Sequence, residues 1–222
     1  MLTSAIEKIV NLISPYECMI CGEQDHLVCE ACWQANIESR VTTCFWCNSL
    51  SPEGRTCKRC RSKTSLNGVI VPFRLKHIVK ECIYELKYYS NRESAKLLAN
   101  YLAKSIDVTK FDFISYVPST GRNQRRRGYN QAELLAKELS SKCKIPLITS
   151  LVRTKHVDQI GLNRSQRLET IKNNFESINT YTKESILLVD DVLTTGATLN
   201  ECAKTLKEAG ARNVWGIVVA KK

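Results

Sequence analysis

No stretch of this 222-residue chain approaches the apolar length of a membrane-spanning helix, so no such span is expected. The first fourteen residues, MLTSAIEKIVNLIS, lack a basic leader, a long apolar centre and a small-residue cleavage site. A secretory signal is therefore not expected. Ile6, Ile9, Val10 and Ile13 fall at helical spacing and predict a short amphipathic helix packed on a neighbour. A cytoplasmic protein is expected. Bias toward disorder is missing too, with 43% hydrophobic and 25% charged residues. The length suits one ordinary domain plus a small appendage. Acidic residues are in short supply, 22 against 33 Lys and Arg, leaving a formal charge of +11. The deficit is local. Residues 1–66 hold seven of each sign, whereas residues 122–172 hold twelve basic and four acidic residues. Such a surplus attracts polyanions, either a pyrophosphate-bearing substrate or a nucleic acid backbone.

Cysteine, by contrast, is abundant. Eight of eleven form four C-x-x-C pairs: Cys18/Cys21, Cys29/Cys32, Cys44/Cys47 and Cys57/Cys60. Each such turn puts two sulfurs on one side of a tight loop, and two turns complete a four-thiolate zinc site. In a reducing compartment this reading prevails over disulfides. Two structural zincs are therefore expected. The simplest pairing is sequential, first pair with second and third with fourth, and a crossed pairing remains open. Closed four-thiolate sites leave no position for water, so these metals should hold the fold and not catalyse. His26 lies inside the first loop and reads as a surface residue. Cys82, Cys143 and Cys202 are isolated and read as small packing residues.

The chain is organised around Ile186 to Leu199, ILLVDDVLTTGATL. The aliphatic run Ile186–Val189 reads as a strand buried on both faces. Asp190 and Asp191 follow where that strand should leave the sheet. Then come Thr194, Thr195, Gly196, Ala197 and Thr198, and a helix from Ala197 to Ala209 with Gly210 as its stop. Unpartnered N–H groups at a helix start, a glycine that admits close approach, and threonine hydroxyls make a phosphate cradle. Two carboxylates beside it would repel a bare phosphate, unless they grip hydroxyls or a divalent metal. A phosphorylated ribose meets both demands. This motif resembles the phosphoribosyl pyrophosphate (PRPP) site of type I phosphoribosyltransferases, in which two acids precede a TTG-type loop.

Strands and helices alternate from residue 69 to 220, which predicts an α/β fold: a mostly parallel sheet with helices on both faces. Val69–Phe73, Phe111–Val117, Leu151–Thr154 and Asn213–Ala220 read as strands. Leu75–Tyr89 and Glu93–Lys104 read as helices, and a third starts near Asn130 with Ala132, Leu135, Ala136 and Leu139 inward. Between the first two helices, Lys87 reads as solvated and Tyr88 as half-buried. After the second strand, Ser119 precedes a basic loop with Arg122, Arg125, Arg126 and Arg127, residues suited to gripping pyrophosphate. Lys155–Asn174 reads as a basic lid loop leading into a helix, carrying His156, Gln159, Asn163, Arg164 and Arg167. The expected division is 1–66 for the N-terminal helix and double zinc ribbon, and 67–222 for the phosphoribosyltransferase-like domain.

The order of these pieces resembles the ComF/ComFC family, some of whose relatives are called GntX. The residues that carry the likeness are the Cys-rich module, RRRGYNQAELLA with Gly128-Tyr129-Asn130-Gln131, then Gln159, Leu162, Arg167, Asn173 or Asn174 and Phe175, then VDDVLTTGATL. The resemblance implies a type I phosphoribosyltransferase core and a role in natural transformation, the uptake and handling of single-stranded DNA. Competence helicase or recombination proteins would be partners. The implied chemistry displaces pyrophosphate from C1 of PRPP. Asp190 and Asp191 would hold the ribose hydroxyls, directly or through magnesium. Thr194 to Thr198 would take the 5-phosphate and Arg126 or Arg127 the pyrophosphate, with Ser119 a further substrate-binding residue beside them. Nothing in the chain identifies the acceptor. The competing readings are a non-catalytic single-stranded DNA or nucleotide binding protein, and a regulator that binds PRPP without turnover. In the first of these, Trp33, Phe45 and Trp46 would stack on bases; otherwise they pack over the zinc knuckles.

Overall fold

The computed structural model describes residues 16–38, 42–89, 91–154 and 173–222. The expected N-terminal amphipathic helix and residues 155–172 of the lid loop, with His156, Gln159, Leu162, Asn163, Arg164 and Arg167, lie outside the described residues, while Asn173 and Asn174 are described. The strands described are β1 (Gly68–Ile70), β2 (Phe73–Arg74), β3 (Phe113–Tyr116), β4 (Leu151–Arg153), β5 (Phe175–Ser177), β6 (Ser185–Leu193) and β7 (Asn213–Lys221). The helices are α1 (Glu30–Asn36), α2 (His77–Tyr88), α3 (Arg92–Ala103), α4 (Gly121–Arg127), α5 (Gln131–Cys143) and α6 (Ala197–Glu208).

The main sheet is parallel throughout, with β1 and β2 both on β7, then β6, then β3. Beyond β3 a parallel bridge from Ile114 to Leu147 continues it, and β4 pairs antiparallel with β5 beside it. The two central strands are apolar on both faces because both are covered. Leu187, Val189, Ile217 and Val219 join the core under α2, α3 and α5. Ile186, Leu188, Val214 and Val218 join a second core under α6. The period of two along β6 thus splits one hydrophobic run between two layers. The inward set foreseen for α5 (Ala132, Leu135, Ala136, Leu139) is buried, and Asn130 caps that helix by accepting from the Ala132 N–H at 3.1 Å.

Three local expectations need correction. The strand expected at Val69–Phe73 is two pieces, β1 and β2, interrupted at Val71 and Pro72; proline has no N–H to give β7. The strand carrying the acids does not end at Val189. It pairs with β7 as far as Leu193 opposite Lys221, because β7 is long enough to keep hydrogen-bonding it. Pairing with β3 stops at Val189 opposite Tyr116, so the acids sit where one neighbour leaves and the other stays. The basic loop after Ser119 is largely helical: Gln124 N–H donates to the Thr120 carbonyl at 2.9 Å and Gly128 N–H to the Gln124 carbonyl at 2.7 Å. Arginine is a good helix former, and Gly128, at φ +78°, ends the turn.

The Cys-rich part straddles one edge of the sheet. Its first half sends Val28, Cys29 and Trp33 into the core under α2 and α3. Trp33 is fully buried, stacked on Tyr101 at 4.1 Å and edge-on to Phe73 at 5.4 Å. Its second half sends Phe45 and Leu66 into the α6 core. Too small for a core of its own, this part shares both cores of the sheet. Trp33 and Phe45 therefore neither stack on bases nor pack only over the knuckles; they are buried against the α/β layers, with Trp46 half-buried beside Phe45.

Candidate functional site

Two groups of four cysteines stand together, Cys18, Cys21, Cys29 and Cys32, and Cys44, Cys47, Cys57 and Cys60, each with all sulfurs within 4.8 Å of one another. The pairing is sequential, not crossed. It is the local solution: antiparallel bridges Glu17–Gln24 and Thr43–Leu50 fold each first C-x-x-C into its own short loop, and closing short loops costs least chain entropy. A tetrahedral site with Zn–S of about 2.3 Å has sulfurs roughly 3.8 Å apart. Cys21 and Cys29 Sγ are 3.8 Å apart, and Cys47 and Cys57 Sγ 3.6 Å. Backbone N–H groups of Cys29 and Cys32 donate to Cys18 Sγ (3.4 Å) and Cys29 Sγ (3.5 Å), the polarity a thiolate calls for. The donor set fits zinc. Cys82 and Cys202 are buried away from both groups, and burial pushes the Cys82 thiol up to about 12, a packing residue and not a nucleophile.

The acidic pair lies toward the carboxyl end of β6, where a ligand site is expected in a parallel sheet. The two acids differ. Asp191 is buried and fully engaged: Lys87 Nζ is 3.0 Å from Oδ2, Gln131 Nε2 donates to Oδ2 at 3.2 Å, and Val192 N–H donates to Oδ1 at 2.6 Å. Asp190 is part-exposed and accepts the Asp191 N–H at 2.9 Å. Burial and the Asp191 carboxylate push its acid up to about 7, against the pull of Lys87 and Arg153. An acid left in that condition is short of positive charge. An oxygen-seeking cation such as magnesium, or donated ribose hydroxyls, would supply what Asp190 lacks.

Lys87 is thus not the solvated lysine its sequence context predicts. Helix α2 ends beside β6, and the amine turns in to meet Asp191. Tyr88 next to it is exposed, with Arg126 and Arg127 guanidinium carbons 5.8 and 5.3 Å from its ring centre. Arg127 Nε and Nη1 are buried and have no hydrogen-bond partner among the described residues, and so is Ser119 Oγ. Ser119 follows β3, and Val117 N–H donates to the Val189 carbonyl at 3.0 Å, which sets the 118–119 turn against the acids. Gln131 belongs to the Gly128–Gln131 motif and was visible there. Arg153 was not: it carries no sequence signal in its short strand. Its guanidinium lies 4.6 Å over the Phe175 ring, its Nε and Nη1 are buried without partners among the described residues, and burial lowers its pKa while Asp190 pulls it back.

Beyond β6 the chain turns through Thr194, Thr195 and Gly196 into α6. Gly196 has φ +79°, and a Cβ there would come within 2.9 Å of the Phe45 ring. Thr195 Oγ1 accepts the Ala197 N–H at 3.3 Å; Thr194 is exposed, while Thr195 and Thr198 are half-buried. The Cys-rich part holds this turn from below. Besides Phe45 under Gly196, Asn200 Oδ1 accepts from Ser65 N–H at 2.8 Å and from Thr64 Oγ1 at 2.5 Å. Lys221 Nζ also bonds Asn48 Oδ1.

The phosphoribosyl transferase domain family matches residues 125–222. Competence protein F of Haemophilus influenzae is 32% identical over 92% of this chain and 97% of its own. Competence protein ComFC of Bacillus subtilis is 26% identical over 93% of this chain and 76% of its own. The DNA utilization protein YhgH of Salmonella typhi is 28% identical over 84% of this chain and 87% of its own. No helix among the described residues is long and apolar enough to cross a membrane.

Proposed function

The chain belongs to the family of competence protein F and ComFC, and from that premise we propose that it binds PRPP with magnesium and transfers its ribose 5-phosphate during the handling of single-stranded DNA in natural transformation. The observation that carries the reading is the unequal acid pair beside a helix-start turn: Asp191 saturated by Lys87 and Gln131, Asp190 left short of positive charge. Asp191 is the positioning acid, fixing the strand end. Asp190 is the acid that takes the ribose hydroxyls or shares magnesium with the substrate's phosphates. The metal would neutralise the departing pyrophosphate. Thr194, Thr195, Thr198 and the N–H groups at the head of α6 take the 5-phosphate. As the C1–O bond lengthens, positive charge grows on the ring and negative charge on pyrophosphate, which Arg126, Arg127 and the Ser119 hydroxyl meet. The relatives' names, competence and DNA utilization proteins, support the biological setting.

Calorimetric titration of zinc-loaded protein with PRPP and magnesium tests this reading. Micromolar binding that disappears in Asp190→Asn/Asp191→Asn establishes the site, and pyrophosphate release on addition of acceptors then reports turnover. No heat at millimolar PRPP would end it.

A further inference from the structure

The charges of the Cys-rich part are segregated. Residues 1–38 hold six acids and one basic residue, while residues 41–66 hold five basic residues against Glu53 alone. Four of the five, Lys58, Arg59, Arg61 and Lys63, lie exposed on a single 3-10 turn, Lys58–Lys63, which has Cys57 of the second group as its N-cap and carries Cys60 within it. This turn borders a groove of about 610 Å³ lined by Arg55, Arg61, Lys110, Lys207 and Arg212, with no carboxylate in its lining. Glu53 holds Arg55 and Lys110 at 3.2 and 3.1 Å. Among the described residues Arg61, Lys207 and Arg212 have no carboxylate within ion-pair distance, so three cations face the groove uncompensated. Its floor is hydrogen-bonding: Asn67 Nδ2 donates to Asn213 Oδ1 at 3.2 Å, and Asn213 Nδ2 to Ser185 Oγ at 3.1 Å.

The groove is separate from the acidic pair. Ser185 and Asn213 begin β6 and β7, and Asp190 lies five residues further along, roughly 16 Å at the rise of a parallel strand. The lining has no exposed aromatic ring; Trp215 is 9% exposed and lies under the Arg55 guanidinium. A cluster of cations beside amide and hydroxyl groups, without a stacking ring, suits phosphates and not bases. The 3-10 turn and the end of α6 both contribute cations to the lining, Arg61 and Lys207. We propose that this groove binds the sugar–phosphate backbone of a single-stranded nucleic acid, without reading its bases. The proposal deepens the nucleic-acid part of the proposed function and rests on it.

The test is fluorescence anisotropy of a labelled twenty-nucleotide oligo-dT with the full zinc-loaded chain, across a salt series. Arg61→Ala/Arg212→Ala alters two exposed side chains outside both cores. It should weaken binding about tenfold or more at 0.1 M salt and make the log K against log salt slope shallower by about 1.4, two phosphate contacts at about 0.7 each. PRPP binding by the same variant should be unchanged, which separates failure of this groove from failure of the phosphoribosyl site. Wild-type affinity and slope in the double variant would overturn the proposal. So would loss of binding in Arg126→Ala/Arg127→Ala instead, displacement of the oligonucleotide by PRPP or by inorganic pyrophosphate alone, or equal affinity for a duplex of the same length.

Discussion

Replacing Asp190 by asparagine should stabilise the protein while destroying its PRPP site. Asparagine keeps the oxygen that accepts the Asp191 N–H at 2.9 Å, so the strand end is retained. What it removes is a carboxyl raised from 3.8 to about 7, by burial first and by the Asp191 charge second. An acid whose folded pKa lies above its unfolded one opposes folding once ionised. The penalty is absent below about pH 4, grows as pH rises toward 7, and is constant above that. At about 1.4 kcal/mol per unit the ceiling is roughly 4 kcal/mol, and the half-buried setting of the residue, which lets water screen the charge, brings the expectation to about 1–3 kcal/mol. Urea melts of variant and wild type at pH 8 should show that gain, and at pH 5.5 about half of it. Comparing the two proteins at each pH cancels the pH dependence of zinc binding, which they share. The same acid gives PRPP binding a pH profile: because the ligand takes Asp190 as a carboxylate, affinity should rise up to about tenfold per unit below pH 7 and level off above it. A variant less stable than wild type at pH 8, or a gain independent of pH, would refute the assignment of Asp190 as the uncompensated acid.

Other outcomes follow from the same contacts. Lys87→Ala leaves the buried Asp191 carboxylate without its cation and should cost about 2–4 kcal/mol in a denaturant melt, with PRPP affinity falling alongside. Phe45→Ala removes the ring beneath Gly196 and should cost about 3–5 kcal/mol; if Phe45 supports the phosphate turn, weaker PRPP binding accompanies it even at temperatures where the variant is folded. Gly196→Ala places a Cβ against that ring at φ +79°, and the backbone term alone should lower stability by about 1–2 kcal/mol. Metal analysis should find two zincs per chain, and strong chelation should unfold the Cys-rich part and expose Trp33, read as a red shift of tryptophan emission.

What could be read from the chain was whatever depends on near neighbours. The C-x-x-C turns, the apolar period on α5 and the acid–threonine–glycine succession after an aliphatic strand are local patterns, and local geometry follows from them. The same patterns could not show where β6 ends, because its length past Asp190 is decided by β7, a strand whose partner is known only once the sheet forms. Nor could they tell a basic loop from the helical turn α4, since arginines serve either.

The roles of the two acids separate only in the folded protein. Nothing near Lys87 in the sequence distinguishes it from a solvated lysine; helix α2 brings it to Asp191, more than a hundred residues away. Arg153 acquires its buried setting from Phe175, its register partner across the β4–β5 pair, a pairing that only the fold makes. The cysteines by themselves determined a metal-binding part, but only tertiary packing placed Trp33 against Tyr101 and Phe45 under Gly196, joining that part to both faces of the sheet. The reason is physical: covalent spacing dictates which side chains share a turn or a face, whereas burial and charge compensation depend on atoms brought together by the whole fold.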